Sequence, residues 1–259
     1  MSTVRVAGPA GALAVDDGGR SEVPVVLAHS LAGTSAQWSH QLEHGRKARR
    51  AVAFDFRGHG ASDPPKHTEY SIAGLTDDLG AVVDRLGIGR FVLVGHSLGG
   101  GVALTYAGAH PDRVIGLLLL DPIGDGTQIP AGEAAAFLRG LETGYEAFIQ
   151  DYWSQIAGPN EAVRERLLGD LRATPREAVV QLLKDVMKFD PRPALAGYRG
   201  PLLSVVTPNN DQPLSLHRVG KGFPHRVVTG TGHWIQLDKP EVVDRILDEF
   251  WKTSVSGKE

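Results

Sequence analysis

The 259-residue chain predicts an α/β fold: a mostly parallel sheet with helices on both faces and an inserted helical cap. Three observations carry that expectation. Short aliphatic and β-branched runs recur at residues 24–28, 51–54, 91–94, 115–120, 202–206 and 226–228, the pattern of parallel strands buried on both faces. Stretches of helical period at 75–86 and 99–109 lie between them, so strands and helices alternate. After Asp121 the alternation stops for roughly 70 residues of helical pattern, too long a stretch for a bare loop.

Taken in order, the first four runs and their intervening helices build one half of the sheet. The stretch after Asp121 then offers helices over 133–142, 145–156, 161–172 and 176–188, punctuated by Gly144, by Gly158 and Pro159, and by Thr174 and Pro175. Strand pattern resumes at Pro201, and Pro240 suits the first turn of a closing helix over 241–251. The expected organisation is a core of residues 1–124 and 191–259 with a cap at 125–190, ending in a frayed SVSGKE tail.

Charge and composition narrow the function. Twenty-seven Lys and Arg stand against 30 Asp and Glu, a formal charge of −3, and no stretch concentrates either sign. Nucleic acid and membrane surfaces are therefore not expected partners. The N-terminus is interrupted by Gly8, Pro9 and Gly11 and does not read as a signal peptide, and no apolar run approaches the roughly 20 residues of a membrane span. Without cysteine there is no disulfide or thiolate chemistry, which fits a cytoplasmic protein, monomeric or homodimeric. No phosphate loop and no His-Glu-x-x-His spacing occurs, so neither cofactor nor metal is expected.

The chemistry-bearing motif is Gly95-His96-Ser97-Leu98-Gly99, which follows the apolar run FVLV and precedes the helical run GGVALTYAGAH. A sharp strand-to-helix turn leaves little room around a strained serine, and glycines at both ends make that room. The helix that follows aims backbone N–H groups at developing negative charge. A plain structural serine in a glycine-rich turn would need neither neighbour.

With VLVGHSLGG, the upstream AFDFRGHGASD and the downstream GTGHW, the chain resembles the α/β-hydrolases from about Pro24 to Trp251, in particular small esterase, lactonase and peroxidase-like members. The resemblance implies a serine hydrolase with Ser97 as nucleophile and His233, in the loop before the last helix, as general base. The acid belongs at the C-terminal end of a strand. Asp211 after PLLSVV is the favoured candidate, although Pro208-Asn209-Asn210 stands where the family pattern carries a glycine; Asp121 and Asp125 also satisfy the chain order. Leu98 N–H and Leu31 N–H are the expected oxyanion-hole donors. Ser30 stands where relatives carry glycine, and its Ser-Leu pair is similar to that of some enol-lactone hydrolases.

Ser30, Trp38, His96, Phe137, Trp153 and Trp234 are the candidate pocket residues, with plain core packing as the alternative for each aromatic. Asp55 and Arg57 of DFRGHGASD read as architecture rather than chemistry. Hydrolysis of small-molecule carboxylic esters is the expected function. Lactone or carbon–carbon bond hydrolysis on the same triad is the alternative within catalysis, and a slow-turnover ligand receptor the alternative outside it. Relatives that open epoxides or remove halogens carry aspartate where this chain has Ser97.

Overall fold

The computed structural model describes residues 3–67, 69–220 and 222–256. Eight strands form one sheet: β1 (Thr3–Ala7), β2 (Ala12–Gly18), β3 (Val25–Ala28), β4 (Ala51–Phe54), β5 (Phe91–His96), β6 (Val114–Leu120), β7 (Leu202–Val206) and β8 (His225–Val227). Their spatial order is β1-β2-β4-β3-β5-β6-β7-β8, antiparallel from β1 to β4 and parallel thereafter. The six expected strands are all present, displaced by at most two residues at an end. The β1–β2 hairpin was not expected. Its strands are partly polar, with Arg5, Asp16 and Asp17, and they join through the Gly8–Gly11 turn, where Gly8 N–H bonds Gly11 C=O at 2.9 Å.

Strand parity divides the core in two. Val26 and Ala28, Val52 and Phe54, and Leu117 and Leu119 point to the face covered by α2 (Ile72–Arg85) and α3 (Leu98–Ala109). Val25 and Leu27, Ala51 and Ala53, and Leu118 and Leu120 point to the face covered by α1 (Ser39–Gly45) and, near the C-terminus, by α11 (Pro240–Ser256). Helix α2 begins at Ile72, three residues before the expected start at Leu75, behind a cap in which Ser71 Oγ accepts Gly74 N–H at 3.0 Å. Helix α11 runs to Ser256, so Ser254 to Ser256 of the expected frayed tail are helical, and residues 257–259 lie outside the described residues.

Between β6 and β7 the chain forms α4 (Ala131–Thr143), α5 (Tyr145–Ala157), α6 (Glu161–Ala173), α7 (Arg176–Val186) and α8 (Arg192–Gly197). Leu141, Ile149, Leu167 and Leu182 from these helices join the core on the α2–α3 side. Two short helices, α9 (Leu216–Val219) and α10 (Ile235–Asp238), flank β8. Among the described residues, no helix is long and apolar enough to cross a membrane.

The DFRGHG segment is held by buried charge. Asp55 accepts Ser35 N–H at 2.6 Å and Ala61 N–H at 2.8 Å, and Arg57 clamps Asp78 through Nε at 2.9 Å and Nη2 at 2.7 Å. Around it sit histidines that burial keeps neutral. Desolvation lowers the pKa of His29 and takes that of His59 down to about 3. The same effect acts on His96, beneath the nucleophile turn.

A pH dependence follows. Below the ordinary histidine pKa of about 6.5 the unfolded chain takes up protons that these sites refuse, so stability is full above that pH and is lost as the pH falls, by up to about 1.4 kcal/mol per pH unit for each group. Thermal midpoints should therefore decline from pH 7 to pH 5, and His59→Gln should flatten that decline by up to one proton. An unchanged midpoint over this range would contradict the buried-neutral assignment.

Candidate active site

Ser97 stands alone between β5 and α3 with φ 54° and ψ −119°, a conformation that costs a non-glycine residue of order 1–3 kcal/mol. Glycines permit the turn. A Cβ on Gly95 would lie 2.3 Å from Gly99 O, and one on Gly99 would lie 2.3 Å from His29 O. Ser97 N–H bonds Leu120 O at 3.0 Å, and Ser97 C=O accepts from Gly100 at 2.9 Å and Ile123 at 3.2 Å. Ala32, Ser97 and Asp121 are the non-glycine residues with positive φ among the described residues; Ser97 lines a cavity, Ala32 follows its lining residue Leu31, and Asp121 contacts its lining residue His233. Backbone strain is thus concentrated where the expected chemistry lies.

His233 and Ser97 line the same cavity, of about 80 Å³; among the described residues no direct hydrogen bond joins the Ser97 hydroxyl to the imidazole. The other imidazole nitrogen is held firmly: His233 Nδ1 lies 2.6 Å from Asp121 Oδ2. Asp121 directly follows β6, is 1% exposed, and has its carboxylate fixed from just beyond the end of β7 by Thr207 N–H at 2.6 Å and Thr207 Oγ at 3.1 Å. The carboxylate is therefore oriented before any ligand arrives.

Asp211 is elsewhere, and the expected acid must be corrected. The turn Pro208–Asn210 carries it toward α9, where its Oδ1 meets His217 Nε2 at 3.0 Å and Arg218 Nε at 2.8 Å. Arg218 first, then His217, holds its carboxyl below the usual range. The third candidate, Asp125, caps the short turn that follows it by accepting Thr127 N–H at 3.0 Å. The signal for Asp121 was an acid placed immediately after the uninterrupted run of β6, beside the nucleophile's own strand.

Leu31 and Leu98 both line the cavity. Leu98 opens α3, and Leu31 lies in a turn closed by Gly33 N–H to Ser30 O at 3.1 Å, with Ala32 at φ 51°. Neither leucine N–H donates to a backbone acceptor in a turn, loop or cap among the described residues.

Of the candidate pocket residues, Ser30, Trp153 and Trp234 border the cavity and Trp38, His96 and Phe137 do not. Trp38 ends the short 3-10 turn Ser35–Trp38 and is wholly buried with Leu27 and Leu42 on the α1–α11 side of the sheet, away from the cavity. Phe137 packs edge-on against Phe148 and Tyr152 at 5.0 and 5.1 Å, behind the cavity wall. His96 is a support. Gln236 Nε2 donates to its Nδ1 at 3.1 Å, which leaves Nε2–H to donate to His233 C=O at 2.9 Å.

Sequence reasoning did not find Gln37, Thr207 or Gln236. Trp234 Nε1 donates to Ser30 Oγ at 3.1 Å, Ser30 Oγ contacts Gln37 Oε1 at 3.3 Å, and Gln37 Nε2 donates to Asp170 on α6 at 2.8 Å. One network thus joins the Leu31 turn, the His233 loop and a helix of the insertion. Asp211, His217 and His225 bring three donor atoms within 4.8 Å of one another. Arg218 already occupies that carboxylate, and the imidazoles stack at 4.1 Å and 18°.

A family model described as alpha/beta hydrolase fold matches residues 23–175. Mouse epoxide hydrolase 4 is 34% identical over 105 residues, which are 40% of this chain and 29% of that protein, so the chain spans under a third of its length. The mouse sn-1-specific diacylglycerol lipase ABHD11 is 27% identical, with 87% of this chain and 80% of the lipase aligned. Among solved structures, Est816, described as an N-acyl homoserine lactone degrading enzyme, superposes with TM-score 0.80 at 26% identity, covering 95% of this chain and 100% of Est816.

Proposed function

Because the chain belongs to the alpha/beta hydrolase fold family, we propose that it hydrolyses carboxylic esters through an acyl-enzyme on a Ser97–His233–Asp121 triad. The observation that carries this reading is the 2.6 Å contact between His233 Nδ1 and Asp121 Oδ2 beside a cavity that Ser97 shares. Ser97 Oγ attacks the ester carbonyl as His233 Nε2 takes its proton, while Asp121 holds the Nδ1 tautomer and stabilises the imidazolium. Leu31 and Leu98 N–H receive the oxyanion. Collapse expels the alcohol, protonated by His233, and water repeats the sequence on the acyl-enzyme.

Residues 125–190 act in this reading as the cap, α5 supplying Tyr152, Trp153 and Ile156 to the cavity wall. A volume of about 80 Å³ holds on the order of three water-sized groups, which favours short acyl chains. Cyclic esters are the second reading, supported by the Ser30–Leu31 pair and by the lactone-degrading description of Est816.

A p-nitrophenyl alkylphosphonate tests the proposal. One equivalent should abolish esterase activity and add a single phosphonyl mass to the peptide containing Ser97, and p-nitrophenyl esters from acetate to octanoate should be cleaved best at the short end. Labelling at another residue, or full activity after labelling, would exclude Ser97 as nucleophile.

A further inference from the structure

The Ser30–Leu31 peptide is held from several sides. Phe56 N–H donates to His29 Nε2 at 3.0 Å, so the buried, neutral His29 carries its proton on Nδ1 and donates it to Ser30 C=O at 2.7 Å. Gly33 N–H bonds the same carbonyl at 3.1 Å. A trans peptide sets its N–H opposite to its C=O, so whatever fixes the Ser30 carbonyl also fixes the direction of Leu31 N–H. The next residue, Ala32, keeps φ 51°, a strained conformation that persists only where the surroundings over-determine it.

Part of those surroundings belongs to the insertion. Ser30 Oγ accepts from Trp234 Nε1 at 3.1 Å and turns its own proton toward Gln37 Oε1 and Leu31 O, both at 3.3 Å. Gln37 is 1% exposed, and Asp170 on α6 orients its amide by accepting from Nε2 at 2.8 Å, which leaves Oε1 toward Ser30. The fit is close: a Cβ on Gly33 would lie 2.6 Å from Gln37 Oε1 and 3.0 Å from Ser30 Oγ. One turn before Asp170, Arg166 Nη2 donates to Ala36 O at 2.6 Å, so α6 grips the turn Ser35–Trp38 at two points. Leu167 and Leu171 anchor the same helix in the core.

Resting on the acyl-enzyme reading, we propose that Gln37 and Asp170 are positioning residues for the oxyanion: α6, seated through this pair, holds the Ser30–Leu31 turn in its strained form and keeps Leu31 N–H set to receive the charge. The insertion then does more than cover the cavity. Gln37 and Asp170 lie outside the cavity lining and act through Ser30. An oxyanion donor lost outright costs on the order of a hundredfold to a thousandfold in turnover, and a donor loosely held costs part of that. The pair contains one carboxylate and one amide, so exchanging them preserves both the charge and the hydrogen bond, whereas two carboxylates would repel.

Turnover of p-nitrophenyl butyrate and inhibition by propyl trifluoromethyl ketone, whose addition to Ser97 builds the same oxyanion, test the pair in the full chain, with Ser97→Ala as control. Gln37→Ala, Asp170→Ala and Gln37→Glu should each lower kcat by about tenfold or more, leave KM within about twofold and weaken the ketone by the same factor as kcat. Gln37→Glu/Asp170→Asn should return kcat and ketone affinity to within about threefold of wild type, and this exchange decides the matter even where an alanine variant fails to fold. Wild-type kcat in the single variants, a fall in kcat without weaker ketone binding, or no recovery on exchange would each overturn the positioning role and leave the acyl-enzyme reading standing. Absence of Ser97-dependent cleavage by the wild type would overturn both.

Discussion

Ser97→Ala should lower kcat on p-nitrophenyl butyrate by about 10⁴-fold or more, with little change in KM. The substitution deletes one oxygen. Alanine keeps the Cβ, and with it the φ 54° turn that Gly95 and Gly99 accommodate, so neither the strand-to-helix junction nor the cavity walls should rearrange. Leu31 and Leu98 N–H remain in place to bind the carbonyl, which is why affinity should persist while turnover fails. Stopped-flow release of p-nitrophenol gives the sharpest reading: wild type should show an acylation phase and the variant none. A fully active, folded variant would remove the serine-nucleophile reading altogether.

Asp121→Asn should cost about 10⁴-fold in kcat, whereas Asp211→Asn should change it by less than about twofold. In the first variant an amide replaces the carboxylate 2.6 Å from His233 Nδ1. Thr207 N–H requires an acceptor from that group, so the amide oxygen stays with Thr207 and the NH₂ faces the imidazole. His233 is then driven to the tautomer with Nε2 protonated, which cannot take the Ser97 proton. Asp211 touches His217 and Arg218 instead, and its loss leaves the imidazole untouched. Steady-state kinetics on both variants, with circular dichroism to confirm folding, separates the two acids. The opposite ranking would mean that the His233 loop refits around Asp211 during turnover.

The contrast between the two aspartates marks how far local pattern reaches. Burial on both faces leaves its imprint within each run, so Ala51–Phe54 and Leu202–Val206 were legible to the residue. The nucleophile turn was legible for a related reason, because a serine between a strand and a helix forces glycines at fixed neighbouring positions. The β1–β2 hairpin left no such imprint, since an edge pair is buried on fewer sides and tolerates polar residues.

Residues within one turn of each other are bound by local sterics, and the chain's own sequence determined those features: the buried strands, the helices of the insertion, the strained Ser97 and the loop that bears His233. Which carboxylate meets His233 depends on contacts across 112 residues, and there the two acids look alike, each following a strand in the correct chain order. Only the tertiary structure decided between them. The Pro208–Asn210 turn carries Asp211 to α9, while Thr207, just past the end of β7, locks Asp121 in place. Contacts distant in sequence likewise placed Trp38 beneath the sheet and His96 behind the His233 loop, because a side chain's final surroundings are set by the elements that pack against it.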